Sequence, residues 1–335
     1  MKATSRSSLA AWLDSLTTHY TVIAPRMVDG QLLYQTVASS DDIIFDFQRS
    51  VLSPKTIFLP DTQVILEVDK RDRDYTLTEP ILEREQVVFG LRPCDARGLG
   101  VLDALLLDRP PADAYYAERR EKTCLIGLAC PQLWSDCFCT SLGSAPDDTS
   151  GVDLMLYQQD NDYLVEEVTE RGAALITGLE TEETDRSAPA SDTSGPQVPV
   201  LPPEAWEAFF DDIYWQRLAE RCLSCHACTY VCPTCRCFDV RDDTSAAGPG
   251  YAHFQRLRAW DSCMAAAYRR IAGGHNPRPE KTQRLRNRYF CKFCYSPLDF
   301  GATACVGCGR CISVCPVGID IAEMLADVAD LEHRD

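Results

Sequence analysis

Apolar positions change their period several times along this chain, and each change marks an element. Leu9, Leu13 and Leu16 recur at helical spacing, which predicts an amphipathic helix near the start. Tyr20–Ala24 and Gln31–Ala38 read as strands around a turn at Val28-Asp29-Gly30. Gln63–Val68 is rich in β-formers. Gln86–Leu91 is an apolar run ending at Arg92-Pro93-Cys94-Asp95, where Asp95 is placed to cap a helix carrying Leu99, Leu102, Leu105 and Leu106. Thr123–Ala129 is another short buried-strand pattern. Leu154–Tyr157 and Tyr163–Val168, split by Asp160-Asn161-Asp162, read as a hairpin. Together these predict a mixed α/β domain over residues 1–179.

The pattern then fails. Over residues 180–203 Glu, Thr, Ser, Ala, Pro and Gly leave almost nothing to build a core, as in a flexible acidic linker or insertion. Periodicity returns in a helix from Pro203 or Glu204 to about Arg221, with Trp206, Phe209, Phe210, Ile213 and Leu218 on a broad apolar face. Tyr251–Ile271 reads as helical, and a last helix runs from Asp320 to about Glu332. Residues 204–335 are thus expected to form a second, largely α-helical domain, and the fold class to be α+β.

Composition changes the picture through charge and cysteine. The 335 residues carry a formal net charge of −17, so phosphate backbones and anionic membrane surfaces repel the chain as a whole. A basic protein or subunit is the better-matched partner. No run of about 18 apolar residues exists, so no membrane insertion is expected. The 18 cysteines lie in a long chain without a signal-peptide pattern, which points to a reducing cytoplasm and to metal thiolates rather than a disulfide framework.

One cysteine spacing occurs twice. Cys222, Cys225, Cys228 and Cys232 follow C-x2-C-x2-C-x3-C before Pro233, and Cys305, Cys308, Cys311 and Cys315 repeat it before Pro316. Two-residue gaps curl the backbone round one cubane, and the fourth cysteine points away to the other cluster. Cluster one is therefore assigned to Cys222, Cys225, Cys228 and Cys315, and cluster two to Cys305, Cys308, Cys311 and Cys232. Cysteine pairs also suit tetrahedral zinc, but zinc does not require a four-cysteine run used twice.

Other cysteines are less decided. Cys94 and Cys130 end apolar runs, and adjacent parallel strands would bring them to one sheet edge near Cys137 and Cys139, where four thiolates could hold a third cluster. The alternative is scattered buried thiols. Cys124 reads as a core residue. Cys235, Cys237, Cys263, Cys291 and Cys294 are compatible with a small zinc site, with tuning of the cubanes, or with inert thiols. His226, inside the first cysteine loop, reads as a packing or hydrogen-bonding residue. The segment 256–292 is basic in an acidic chain, which suits a solvated face, a docking patch, or charge that raises a cluster's potential.

No dinucleotide fingerprint, phosphate loop or nucleophile triad is present, so the chain alone is not expected to be a complete enzyme. Several segments resemble one family. FGLRPCDARGL at Phe89–Leu99, CFCTSLG at Cys137–Gly143, CLSCHACTYVCPTCRCFD at Cys222–Asp239, WDSC at Trp260–Cys263, GGHNPRP at Gly273–Pro279 and VGCGRCISVCP at Val306–Pro316 are similar to the β-type iron–sulfur subunits of cytosolic NAD(P)-linked [NiFe] hydrogenases, the sulfhydrogenases, and to the related A subunit of anaerobic sulfite reductase. The resemblance implies two [4Fe–4S] clusters on the eight cysteines above, and strengthens the case for a third. It also implies relay between a flavin- and NAD(P)-binding subunit and a catalytic hydrogenase or reductase subunit. A zinc-stabilised scaffold and a self-contained enzyme at the N-terminal cysteines are the alternatives from other classes.

Overall fold

The computed structural model describes residues 1–332. Its strands, in chain order, are β1 (Lys2–Ser5), β2 (Thr21–Val28), β3 (Gln31–Thr36), β4 (Thr62–Arg71), β5 (Asp74–Thr78), β6 (Gln86–Leu91), β7 (Thr123–Leu128), β8 (Leu154–Gln159), β9 (Asp162–Glu167), β10 (Glu182–Glu183), β11 (Phe238–Gly248) and β12 (Tyr251–Trp260). Eight of them make one sheet in the order β10-β1-β9-β8-β7-β6-β2-β3, in which β2, β6, β7 and β8 are mutually parallel. The chain is α+β, as its pattern predicts.

The sheet exists because its central strands can be buried on both sides. Every residue of β6 and β7 is buried, which suits a parallel strand covered by helices on each face. Val87 and Phe89 point to the layer of helix Arg6–Leu16, where Leu9, Trp12, Leu13 and Leu16 pack. Val88 and Leu91 point to the opposite layer, against Leu99 and Leu102 of helix Pro93–Leu106 and Tyr116. Gly90, at φ +79°, makes a bulge between Phe89 and Leu91 that lets the strand keep both contacts. The β8–β9 hairpin forms across Asp160 and Asn161 as predicted, with Asp160 left-handed. Asp95 does not cap the helix after β6. Arg92 is the cap residue, Pro93 opens the helix, and Asp95 lies inside the first turn.

The second sheet, β11-β12-β4-β5, is antiparallel and joins distant parts of the sequence: β12 pairs with β4 from Tyr251↔Arg71 to Ala259↔Thr62. This corrects the helical reading of Tyr251–Ile271. The segment is the second arm of a hairpin turning at Gly248-Pro249-Gly250, followed by turns, and the next helix begins only at Lys281. Tyr251, Phe254 and Trp260 favour a pleated surface, and the β4 partner lies too far upstream for periodicity to reveal it. The predicted helix at 203–221 is also divided. A 3-10 turn covers Pro203–Phe209 and the α-helix starts at Tyr214, where Asp212 Oδ1 accepts from the Tyr214 N–H at 2.7 Å.

A separate aromatic core lies under the cysteine-rich part. Trp206 stacks on Phe293 with ring centroids 5.3 Å apart, and Trp215 and Tyr289 stack at 5.9 Å. Val198 and Leu201 pack against this core, and Val198 N–H donates to Ser141 Oγ at 2.9 Å. Glu182–Glu183 runs beside β1 at the edge of the large sheet. Among the described residues, no helix is long and apolar enough to cross a membrane.

Candidate iron–sulfur sites

The two cysteine runs adopt the same curl. In the first, Ser224 and His226 have φ of +53° and +67°; in the second, the equivalent Gly307 and Gly309 have +64° and +73°. Each curl then enters a single helical turn, Ala227–Tyr230 or Arg310–Ser313. Left-handed backbone at a serine and a histidine is costly, so the geometry is imposed by the motif and not by glycine content. The second curl requires glycine for another reason. A Cβ on Gly307 would stand 2.5 Å from the Cys139 N, and one on Gly309 would stand 2.4 Å from the Asp136 O. The loop carrying Cys137 and Cys139 therefore lies directly on the second cysteine run, and the Phe138 N–H donates to Gly307 O at 2.9 Å.

The thiols gather in sets. Cys222, Cys225, Cys228 and Cys315 line one cavity together with Leu285, Tyr289 and Ile321, with Cys311 on its wall. Cys232, Cys305, Cys308 and Cys311 line a second, closed by Phe138 and Val306. In each, three cysteines of one run meet the fourth cysteine of the other. This donor set fits a [4Fe–4S] cluster: four soft thiols surround an apolar space, and among the described residues no three His, Cys, Asp or Glu side chains converge on a single-ion position. Backbone N–H groups already point at two of the sulfurs, Ser224 N to Cys222 Sγ at 3.3 Å and Ile319 N to Cys315 Sγ at 3.2 Å.

The environments of the two sets differ. Cys225 is exposed and its neighbour Leu223 is 64% accessible, so the first cavity opens near the surface. Cys305 and Cys308 are buried, and burial pushes the Cys305 thiol up to about 11 and the Cys311 thiol up to about 12. Lys292 is buried beside the second set. Its ammonium donates to Ala304 O at 2.8 Å, to Thr234 Oγ1 at 3.2 Å and to Cys232 Sγ at 3.2 Å. The thiol of Cys232 is held well below its ordinary value, first by the Cys235 thiol and also by this ammonium.

Of the four N-terminal cysteines, Cys94 packs in a small core with Val101, Val306 and Cys308, and Cys139 lies on Gly307 of the second run. The parallel pairing of β6 and β7 brings the strand ends before Cys94 and after Leu128 to one edge. Burial pushes the Cys130 thiol up to about 12 and the Cys139 thiol up to about 11. Cys94, Cys137 and Cys139 all feel Cys308. Arg49 ties this region to the second run: it pairs with Asp136, donates to Ser313 Oγ at 2.6 Å and reaches Cys137 Sγ at 3.5 Å. Asp95, one residue from Cys94, pairs bidentately with Arg310 at 2.7 and 2.8 Å in a fully buried contact.

Comparison with known proteins decides what kind of chain this is. The family described as a 4Fe-4S dicluster domain matches residues 221–319, and the chain is 33% identical over 314 residues to the protein named sulfhydrogenase 2 subunit beta of Pyrococcus furiosus, covering 89% of each. The chain belongs to the sulfhydrogenase β-subunit family. No solved structure matches it. Within this β-subunit family fold, the basic segment 256–292 is not a simple solvated face. Arg258, Arg284, Arg288 and Lys292 are buried, whereas Arg256 pairs with Asp242 on the surface. His226 caps the helical turn of the first curl with its ring against Tyr230, at a centroid distance of 6.3 Å. Cys124 and Cys294 belong to two hydrophobic cores.

Proposed function

We propose that this chain is the iron–sulfur electron-transfer subunit of a multi-subunit hydrogenase-type complex. Cys222, Cys225, Cys228 and Cys315 would hold one [4Fe–4S] cluster, and Cys305, Cys308, Cys311 and Cys232 the other. The observation that carries this reading is the crossing of the fourth cysteines, each of which faces the cavity of the other run. When bound there, a [4Fe–4S] cluster supplies a one-electron couple whose potential follows burial, charge and hydrogen bonds to sulfur.

The chain's own residues set those terms. Tyr289, Leu285 and Ile321 exclude water from the first cavity, and Phe138 and Val306 from the second. Lys292 offsets thiolate charge at the second, and its buried ammonium favours the more reduced, more negative state. The exposed rim at Cys225 and Leu223 suits exchange with a partner, and the buried set suits passage inward. A third cluster on Cys94, Cys130, Cys137 and Cys139 extends the relay into the large sheet. It is supported by the β6–β7 pairing, which brings the chain before Cys94 and after Leu128 to one sheet edge, and by the loop that lays Cys139 on Gly307.

In this reading residues 1–179 are a platform, 180–203 a connecting segment, and 204–335 the ferredoxin-type module of a cytoplasmic protein. The partners are a flavin- and NAD(P)-binding subunit on one side and a catalytic hydrogenase subunit on the other. The printed name of the Pyrococcus furiosus relative, a sulfhydrogenase subunit, supports this pairing over a sulfite-reducing one.

The test is iron, acid-labile sulfide and zinc per chain after anaerobic purification. Iron and sulfide in equal amounts, about eight of each or more in steps of about four, are expected. Zinc without sulfide overturns the reading. Co-purification of a flavoprotein with the tagged chain from its native source tests the partner.

A further inference from the structure

A far larger cavity shares Arg288 with the first ferredoxin-type site and Lys292 with the second. Its volume is about 470 Å³, against about 40 and 20 Å³ for the two cavities already described. Four cysteines outside the repeated spacing line it: Cys235, Cys237, Cys263 and Cys291. They come from separate places in the chain. Cys235 and Cys237 follow the first run as C-x-C, Cys263 follows β12, and Cys291 opens a π-helical turn, Cys291–Tyr295, at the end of the helix. A π turn in a helix is uncommon and recurs at functional sites.

The β11–β12 hairpin is what makes the convergence possible. It begins at Phe238, one residue after Cys237, and ends at Trp260, three before Cys263, so its pairing returns the chain to where it left. The Asp261 N–H closes the base by donating to Cys237 O at 2.9 Å. Cys237 and Cys263 thus flank the open end of the hairpin, and Lys292 Nζ, 3.2 Å from Cys232 Sγ, lies 3.7 Å from Cys235 Sγ.

The lining is cationic. Arg236, Arg269, Arg278, Arg288 and Lys292 border the same space, with no carboxylate but Asp299. Arg288 is 3% exposed and its buried Nε has no partner, so a fully desolvated guanidinium is left with an unanswered donor in a wall shared with the first cavity. Such a donor carries a cost unless something anionic meets it. Lys292 stands in the wall shared with the second cavity. The space asks for a bulky, negatively charged, thiolate-held group.

We infer that Cys235, Cys237, Cys263 and Cys291 hold an additional cluster of the [4Fe–4S] class, in electrical contact with both ferredoxin-type sites. A four-thiolate cubane has the size, the anionic charge and the ligand set. Mononuclear zinc would instead draw all four sulfurs to one point, whereas these four line a space of about 470 Å³. The inference rests on the reading that the chain is loaded with iron–sulfur clusters, and it accounts for the cysteines that reading leaves without a role. With it, only Cys124 and Cys294 remain, and both are core residues.

The full chain, purified anaerobically, carries the test. Cys263→Ser is expected to lose about four irons and four sulfides and one Mössbauer component, while Cys124→Ala keeps the parental content. Cys291→Ser, at the helix end, repeats the measurement should Cys263→Ser fail to fold by circular dichroism. Unchanged iron and sulfide in folded Cys263→Ser and Cys291→Ser overturns the inference. So does loss of one zinc in place of iron, or a Cys237–Cys263 disulfide found by mass spectrometry in the anaerobic parent. Cys228→Ala separates this failure from that of the broader reading, because it removes iron from the first ferredoxin-type site whatever the fate of Cys263.

Discussion

At the residue scale, the buried cations have the clearest consequences. Arg310 and Asp95 share a bidentate contact with almost no exposure on either side chain. Arg310→Met strands a buried carboxylate and is expected to destabilise the chain by about 3–5 kcal/mol, whereas Arg310→Met with Asp95→Leu recovers most of that loss. Chemical denaturation of the three proteins checks it. The ligands themselves are tested by Cys228→Ala, which should remove about four irons and leave the remaining clusters spectroscopically intact. A Cys228→Ala protein with full iron content contradicts the assignment. The raised thiols of the second set add a pH dependence. With Cys305 at about 11 and Cys311 at about 12, both are protonated throughout the neutral range, so loading must expel their protons. Iron and sulfide retention against a constant free chelator should therefore rise from pH 6 to pH 9, and a flat profile would count against thiolate ligation at these positions.

Elements repeat this logic on a larger scale. The second curl is pinned under the Cys137–Cys139 loop because Gly307 and Gly309 leave no room for a side chain. Gly307→Ala must push the two loops apart, and also pays left-handed strain. It is expected to lower the thermal midpoint and to alter the spectrum of the second site, while Gly301→Ala, whose Cβ would meet nothing within 4 Å, should show only the backbone penalty. Much of this was legible from residue order. The doubled cysteine spacing, the apolar run of β6 and the Asp160 turn each act locally, and local signals survive in one sequence. What escaped was non-local. The pattern of Tyr251–Trp260 is decided by β4, and the convergence of Cys237 with Cys263 is decided by the hairpin between them. The Gly248-Pro249-Gly250 turn was the available signal for that hairpin, since Gly and Pro side by side punctuate chains.

For the whole molecule, the shared second sheet means that the two sequence halves are not independent. Lys55, upstream of β4, is buried with its ammonium 3.0 Å from Cys235 O and 4.1 Å from the Trp260 ring centre. Arg258 of β12 pairs with Asp113. Unfolding should accordingly be one transition, with tryptophan fluorescence and cluster absorbance lost together in denaturant, and separated transitions would show that the halves fold alone. The β4–β12 pairing also sets a schedule during synthesis. About 190 residues separate the two strands, so at roughly 5–20 residues per second β4 waits on the order of 10–40 seconds for its neighbour to leave the ribosome. Until then Val64 and Leu66 lack their β12 partners and lie beyond the reach of β5, and Val68 has only Leu77 of β5 beside it. The first cysteine run, from Cys222 to Cys232, is thus made before β4 meets its partner, and the second, from Cys305 to Cys315, only afterwards.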